Sequence, residues 1–216
     1  MAYLQRLEGR IFGMQESLRC AVELQKILSN RSSRLARLAL GGNTRGAWGL
    51  PSETFERALE SLKEAGVTVV ARSPAFRTIP QGPGRQAWFL NEVIVVRASI
   101  GPAALLRLAK TIERAAGRRS GIRWGPRPLD IDVLDYGGRR INAGAHATVP
   151  GRLVLPHPEI ANRGFVLVPL MHVAPHWRHP VSGATARSLL ARSPQLARGV
   201  MAATPLRSPR AVCRSE

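Results

Sequence analysis

Two aspartates separated by a single residue, Asp130 and Asp132, lie in a stretch that alternates carboxylate with aliphatic side chains. A period of two predicts a β-strand on which both carboxylates point to the same side, about 6–7 Å apart. At an effective dielectric constant of ~20, two negative charges at that distance repel by roughly 3 kcal/mol. Cations must offset this repulsion, so the pair predicts either a metal site or a surface strand whose acids pair with arginines.

The residues just before the pair favour the metal site. Arg123 and Arg127 supply two guanidinium groups, and Pro126 and Pro128 stiffen the backbone around them. Guanidinium forks bind phosphate oxygens, and carboxylate oxygens bind Mg²⁺. Arginines beside paired carboxylates therefore predict a divalent metal together with a phosphate ligand.

This segment, residues 123–134 (RWGPRPLDIDVL), closely resembles the central motif of the 6-hydroxymethyl-7,8-dihydropterin pyrophosphokinases, a family of folate-pathway enzymes. Three further pieces resemble the family in the same order: residues 38–43 (LALGGN), 76–78 (FRT) and 156–165 (PHPEIANRGF). The resemblance runs from about residue 35 to about residue 190. It implies a transferase that moves pyrophosphate from ATP to 6-hydroxymethyl-7,8-dihydropterin and releases AMP.

The resemblance also assigns residues to the metal and the nucleotide. It implies that Asp130 and Asp132 bind two Mg²⁺ ions and act in catalysis together with two arginines, Arg118 and Arg127. The ATP-binding positions that it implies are Arg118, Trp124, Arg127, His157 and Arg163. The loop at Arg118 is shorter than in the family, so Arg119 stays an alternative to it. Trp124 has a second interpretation as a core tryptophan.

For the pterin, the resemblance implies a second group of residues: Thr78, Gln81, Phe89, Asn91 and Phe165. Phe89 replaces a tyrosine of some family members, but stacking needs only the ring. Gln81 is the weakest match, because the loop around it departs from the commoner proline-rich versions. Glu113 is interpreted either as support for the arginine loop or as a solvated helix residue. No dedicated general base is identified; two alternatives stay open, a metal that lowers the pKa of the substrate hydroxyl and Asp132 itself.

The order of the predicted elements is β-α-β-β-α-β, which is typical of an α+β, ferredoxin-like fold. We expect strands at 35–41, 67–76, 88–98 and 129–134, and helices at 51–66 and 101–117, the first with Ser52 as its N-cap. Both helices should cover one face of an antiparallel sheet. Further helical turns are predicted at 163–173 and 185–191 as C-terminal additions.

Composition and the resemblance together divide the chain into three regions. Residues 1–34 are expected to form an N-terminal extension, either helical or the product of a start placed too early. The resemblance implies that residues 35–192 form the pyrophosphokinase domain. Residues 193–216 are rich in arginine, serine, proline and alanine, and we expect them to be disordered. Cys20 and Cys213 are predicted to be free thiols of a reducing cytosol.

The formal net charge of the 216-residue chain is +18, with a sequence pI of about 11.7. This indicates either a bias toward arginine or a polyanionic ligand. An RNA-binding module on a ferredoxin-like sheet is the alternative hypothesis, but the aromatic strand signature of that class is missing and the acidic pair would repel phosphates. No apolar run reaches the ~20 residues of a membrane span. We therefore expect a cytoplasmic enzyme, a monomer, without a nucleic-acid or membrane partner.

Overall fold

The computed structural model of the chain describes residues 33–80, 86–119, 125–143 and 153–203. These residues form a six-stranded antiparallel sheet and four α-helices. In chain order the elements are β1 (Arg34–Gly42), α1 (Pro51–Glu64), β2 (Thr68–Arg72), β3 (Phe76–Thr78), β4 (Phe89–Ala98), α2 (Pro102–Ala115), β5 (Asp130–Tyr136), α3 (Gly164–Val173), α4 (Ala186–Arg192) and β6 (Val200–Ala202). Across the described ranges, no helix has the length and apolar character that crossing a membrane requires.

The sheet confirms the predicted α+β fold. Its strand order is β5-β1-β4-β3-β6, and β2 pairs with the other half of β4. One difference from the prediction is that residues 67–76 form two strands instead of one. Ser73 turns its hydroxyl to the Val93 N–H, which donates to Ser73 Oγ over 3.0 Å, and Pro74 has no N–H to donate. The ladder is therefore interrupted between β2 and β3.

One face of the sheet packs against α1 and α2. Apolar residues of β1, β4 and β5 form a closed core there with those of the two helices, among them Leu38, Ile131, Phe55 and Leu105. The prediction that both helices cover one face is confirmed for α1 and α2. The predicted N-cap of α1 is wrong: Leu50 occupies that position, and its N–H donates to the Glu53 carboxylate over 2.6 Å.

The opposite face is covered in part by the C-terminal additions. Val93 of β4 and Leu134 of β5 pack there against Val166, Leu170 and Trp177. Between this second core and the start of β5 the sheet face stays open. The open part lies over the second half of β1, where Ala39 and Gly41 have small side chains or none.

The segment after α4 differs from the disorder expected from residue 193 onward. A 3₁₀ turn at Pro194–Ala197 is followed by β6, which pairs with β3. Gly199, with φ +73°, makes the turn between them. A three-residue strand carries too little periodicity to stand out in sequence. The remainder of that tail (204–216), residues 1–32, Cys20 and Cys213 lie outside the described residues.

Candidate active site

A cleft of about 710 Å³, counting the space open to solvent, lies over the open face of the sheet. Strands β1, β3, β4 and β5 and the start of α3 form its walls. The residues that line it are Ala39, Leu40, Gly41, Thr78, Ile79, Phe89, Asn91, Arg127, Asp130, Asp132, Arg163 and Phe165.

Strand register brings the polar residues of this cleft together. Gly41 of β1 stands opposite Asn91 of β4 on one side and Asp130 of β5 on the other. One pleat along, Ala39 stands opposite Asp132. A Cβ on residue 41 would come within 3.0 Å of Asn91 Oδ1, so the glycine leaves that oxygen room over the floor of the cleft.

Three cations surround Asp130. Arg127 Nη1 donates to its Oδ2 over 2.6 Å, Arg118 Nη1 donates to its Oδ1, and Lys110 Nζ lies 3.8 Å from that oxygen. Burial raises the pKa of Asp130, but Arg118, Lys110 and Arg127 together outweigh it and hold the pKa below its usual value. Asp130 is therefore a carboxylate at neutral pH. Arg119 is exposed, so the geometry favours Arg118 at this position.

Asp132 has two basic neighbours. Arg163 Nη1 donates to its Oδ2 over 3.0 Å, and His157 Nε2 lies 3.7 Å from the same oxygen. His157 Nδ1 accepts from the Glu159 N–H over 3.1 Å, so the neutral ring carries its proton on Nε2. Burial lowers the pKa of His157, and Arg163 lowers it further against the opposing effect of Asp132. The imidazole is therefore neutral at pH 7.

The buried Glu113 and the partly exposed Lys110 form a support behind Asp130. Glu113 Oε1 accepts from Lys110 Nζ over 2.6 Å and from the Ile131 N–H over 2.7 Å, and its Oε2 lies 2.8 Å from Arg118 Nη1. Burial raises the pKa of Glu113, against the effect of Lys110. Of the two interpretations of Glu113, the structure favours support of the arginine loop. Lys110 was missed, although it stands three residues before Glu113 on one helix face.

Asn43 holds the backbone of Arg127 in place. Arg127 N–H donates to Asn43 Oδ1 over 2.9 Å, and Asn43 N–H donates to the Arg127 carbonyl over 3.0 Å. The Asn43 amide also donates to the Ala87 carbonyl over 3.2 Å. This side chain therefore ties the end of β1 to the segments that lead into β4 and β5.

The other end of the cleft is aromatic and amide-lined. Phe89 of β4 and Phe165 of α3 line it, and the Arg163 guanidinium lies 5.7 Å from the centre of the Phe165 ring. Asn91 Nδ2 donates to Thr78 Oγ1 over 2.7 Å, and both residues are buried. This bond fixes the orientation of the amide, so its oxygen is the acceptor presented over Gly41.

Most of the predicted site residues meet in this cleft. Eight line it directly: Thr78, Phe89, Asn91, Arg127, Asp130, Asp132, Arg163 and Phe165. Arg118 and His157 reach it through the two aspartates. Gln81 and Trp124 lie outside the described residues. The lining residues that were not predicted are Ala39, Leu40, Gly41 and Ile79; the first three lie in the segment 38–43 that resembles the family.

The donor set fits Mg²⁺. Two carboxylates on one strand face provide oxygen ligands, and Mg²⁺ commonly takes one or two carboxylates while keeping water and phosphate oxygens. Among the described residues no group of three or more His, Cys, Asp or Glu side chains forms a cage built from protein alone. The chain therefore has the donors for a metal that arrives with a phosphate ligand.

Paired carboxylates ringed by arginines on a ferredoxin-like sheet define an enzyme that handles phosphate groups. The family profile described as 7,8-dihydro-6-hydroxymethylpterin-pyrophosphokinase (HPPK) matches residues 37–175. The chain belongs to this family of pyrophosphokinases.

Relatives from several organisms agree with that membership. The chain is 40% identical over 158 residues to the 2-amino-4-hydroxy-6-hydroxymethyldihydropteridine pyrophosphokinase of Methylorubrum extorquens, covering 73% of this chain and 92% of the relative. It is 35% identical over 143 residues to the enzyme of that name from Bacillus subtilis, covering 65% and 78%. A mitochondrial folate synthesis bifunctional protein of Arabidopsis thaliana is 40% identical over 134 residues, covering 62% of this chain but 22% of the plant protein.

A solved structure shares the fold. The crystal structure of Plasmodium falciparum HPPK-DHPS with SDX-DHP superposes with a TM-score of 0.57 at 16% identity, covering 74% of this chain and 44% of that one. The likeness extends the family assignment to the three-dimensional architecture. The chain spans less than half of the Plasmodium protein.

Proposed function

We propose that this chain transfers the β,γ-pyrophosphoryl group of ATP to the hydroxyl of 6-hydroxymethyl-7,8-dihydropterin, giving the pterin diphosphate and AMP in tetrahydrofolate synthesis. The observation that carries the proposal is the division of one cleft into two chemically different ends. One end holds two carboxylates among arginines, and the other holds two phenylalanines and a buried amide. A triphosphate and a flat heterocycle match these two ends.

At the charged end, Asp130 and Asp132 are proposed to hold two Mg²⁺ ions. When bound, Mg²⁺ neutralises phosphate charge and lowers the pKa of a coordinated hydroxyl. Arg118, Arg127 and Arg163 now donate to the aspartates. Each guanidinium has five N–H donors, so each has donors left for phosphate oxygens. Arg118 is fixed from behind by Glu113, which reduces the entropy cost of orienting it.

At the aromatic end, Phe89 and Phe165 are proposed to stack on the two faces of the pterin, as flat π-systems of this size favour. Asn91 Oδ1 would accept a hydrogen bond from the ring edge, with Thr78 holding the amide in that orientation. An acceptor fixed in a buried position discriminates strongly, because a ring without a matching N–H would leave that oxygen unpaired.

The reaction joins the two ends. The hydroxymethyl oxygen attacks the β-phosphorus, the bond from that phosphorus to the α,β-bridging oxygen breaks, and AMP leaves. Positioning and charge neutralisation supply most of the rate in such transfers. Asp132 is the carboxylate proposed to accept the hydroxyl proton. A bound metal that lowers the pKa of the hydroxyl is the alternative to a protein base. Arg163 and the neutral His157 would stabilise that carboxylate from the other side.

The decisive experiment identifies the nucleotide product. Purified full-length chain with Mg²⁺, ATP and 6-hydroxymethyl-7,8-dihydropterin should release AMP and pterin diphosphate in equal amounts. The matched control is the Asp130→Asn, Asp132→Asn double variant, which keeps the size of both side chains and should release neither. Release of ADP, or no pterin-dependent turnover by the folded wild-type chain, would contradict the proposal. The cytoplasmic location and the monomeric state stay predictions.

A further inference from the structure

Two walls of the cleft, which lie far apart in sequence, are both contacted by the segment between residues 194 and 202. This segment, called here the C-terminal brace, comprises the 3₁₀ turn Pro194–Ala197 and strand β6. It lies beyond residue 175, where the match to the family profile ends. Its two halves contact different parts of the site.

The strand half contacts the pterin wall. In β6, Val200 stands opposite Thr78 and Ala202 opposite Phe76, and just beyond it the Ala203 N–H donates to the Ala75 carbonyl over 2.9 Å. Because β3 has only three residues, it would otherwise form a short edge strand, which is weakly held. Thr78 in turn accepts from the Asn91 amide. Pairing with β6 therefore fixes the strand that orients the amide.

The link between the two halves touches the same wall. A Cβ on Gly199 would stand 2.9 Å from Ile79 Cδ1, and Ile79 lines the cleft. The positive φ favours glycine at position 199, and a methyl group there would displace the end of the Ile79 side chain. The link of the brace therefore lies against the Ile79 side chain.

The turn half contacts the wall formed by the start of α3. A Cβ on Gly164 would overlap the Leu196 carbonyl, so the backbone of the turn lies directly on the first residue of α3. Gly164 stands between Arg163 and Phe165, and both of these line the cleft. The Leu196 side chain packs into the core beneath α3. The brace can therefore pack against α3 only when position 164 has no side chain.

We propose that the C-terminal brace positions both walls of the substrate cleft and so sets the affinity for ATP and the pterin. This inference rests on the proposed function for the identity of the two ligands. One segment seats against the start of α3 and the edge of β3, so a shift of the brace moves Arg163 and Phe165 relative to Thr78 and Asn91. The brace is a positioning element: it touches no reacting atom.

The test is a pair of matched glycine substitutions in the full chain. Gly164→Ala places a methyl group against the Leu196 backbone, whereas Gly101→Ala, also at the start of a helix, meets nothing within 4 Å. The KM values of Gly164→Ala for both substrates should rise about tenfold while kcat falls less than about threefold, because misplaced walls weaken binding before chemistry. Gly101→Ala should stay within about twofold of the wild type.

A second pair decides the matter if Gly164→Ala does not fold. Gly199→Ala and Gly183→Ala carry the same cost of a positive φ, at +73° and +68°, but only the first meets a neighbour, the end of the Ile79 side chain. Gly199→Ala should raise the KM for the pterin about threefold, and Gly183→Ala should not, although both lose similar stability. If the folded variants of each pair have equal KM values, the proposed role of the brace is wrong.

Failure of the proposed function would look different. In that case the wild-type chain itself would release no AMP. The brace would then be judged by equilibrium dissociation constants of MgATP and of the pterin, compared within each glycine pair. Weaker binding only in Gly164→Ala and Gly199→Ala would support it, and unchanged binding would overturn it.

Discussion

The two faces of the sheet are built from the same strands, but one packs a closed core and the other forms the floor of the cleft. On the face toward α1 and α2, Leu38 and Ile131 are completely buried in an aliphatic core. Their immediate neighbours in sequence, Ala39 and Asp132, point to the other face and line the cleft. Alternation along a strand thus separates packing from chemistry at the level of single residues.

This separation has an energetic reason. Clustering two carboxylates is unfavourable, and Arg118, Arg127, Arg163 and Lys110 offset their charge on the cleft face. The closed core behind them supplies stability without depending on that cluster. Substitutions on the two faces should therefore change different measured quantities.

The largest expected effect is on activity from the acidic pair. Asp130→Ala or Asp132→Ala should lower kcat/KM by about 10²–10³, or roughly 3–4 kcal/mol of transition-state stabilisation. AMP release by the folded variants measures it. The control is Asp135→Asn on the same strand, whose partner is Arg37 at 2.5 Å. It should cost about 3 kcal/mol of unfolding free energy while the folded protein keeps its activity. Full activity in both alanine variants would sink the metal assignment.

The next effect is on stability from the closed face. Leu38→Ala should lower the free energy of unfolding by about 2–5 kcal/mol, because it opens a cavity among α1, α2 and the sheet. Urea denaturation measures the loss. The KM values of the folded variant should match those of the wild type. A change in KM would contradict the distinction between the two faces.

One residue further on, the expectation reverses. Ala39→Leu should raise KM for the substrates about tenfold, since the larger side chain fills the floor of the cleft. The free energy of unfolding should change by less than about 1 kcal/mol, because the side chain has open space to enter. Steady-state kinetics and denaturation on one preparation check both. A variant that loses stability but keeps its KM would show that Ala39 belongs to the core.

The smallest effect concerns Glu92, a buried acid on the closed face. Glu92 pairs with Arg72 Nε at 3.0 Å and Nη2 at 2.9 Å through Oε2, while Oε1 has no hydrogen-bond partner among the residues that the structure describes. Burial raises the pKa of Glu92, against the effect of Arg72. The folded state then binds the Glu92 proton more tightly than the unfolded state. The contribution of Glu92 to the free energy of unfolding is therefore fully present below the unfolded pKa of about 4.3 and is lost as pH rises through the folded pKa.

Glu92→Gln should therefore remove part of the fall in stability above pH 4.3. Thermal unfolding between pH 4 and 8 measures it. Glu60→Gln, an exposed acid on α1, provides the control and should leave the slope unchanged. A steeper fall in Glu92→Gln than in the wild type would reverse the sign and reject this account of Glu92.

Much of this architecture could be predicted because its signals are local. The alternation around Asp130 and the helix pattern around Leu105 each specify an element and a face. Eight predicted residues lie in one cleft for the same reason: strand register brings β1, β3, β4 and β5 side by side. Their roles came from family resemblance, since alternation alone left a surface strand as an equal interpretation of the acidic pair.

The errors lie where stability comes from distant contacts. Strand β6 pairs with the edge of β3, and the turn before it packs on Gly164; neither contact is visible within residues 194–202. Glu113 is a helix residue with no local sign of burial until β5 places the Ile131 N–H against it. The N-cap at Leu50 was missed because the carboxylate of Glu53 does the work of a capping side chain.

The Asn43 clamp has a consequence for loop length. The Asn43 amide joins positions that are 84 residues apart in sequence and fixes the Arg127 backbone beside the end of β1. The connection ahead of Arg127 can therefore gain or lose residues between the end of α2 and the clamp without sliding Asp130 along β1. Natural variants that differ in the length of this connection should keep the same spacing between the acidic pair and its neighbours. The enzyme can therefore be lengthened at this connection while the geometry of the acidic pair stays unchanged.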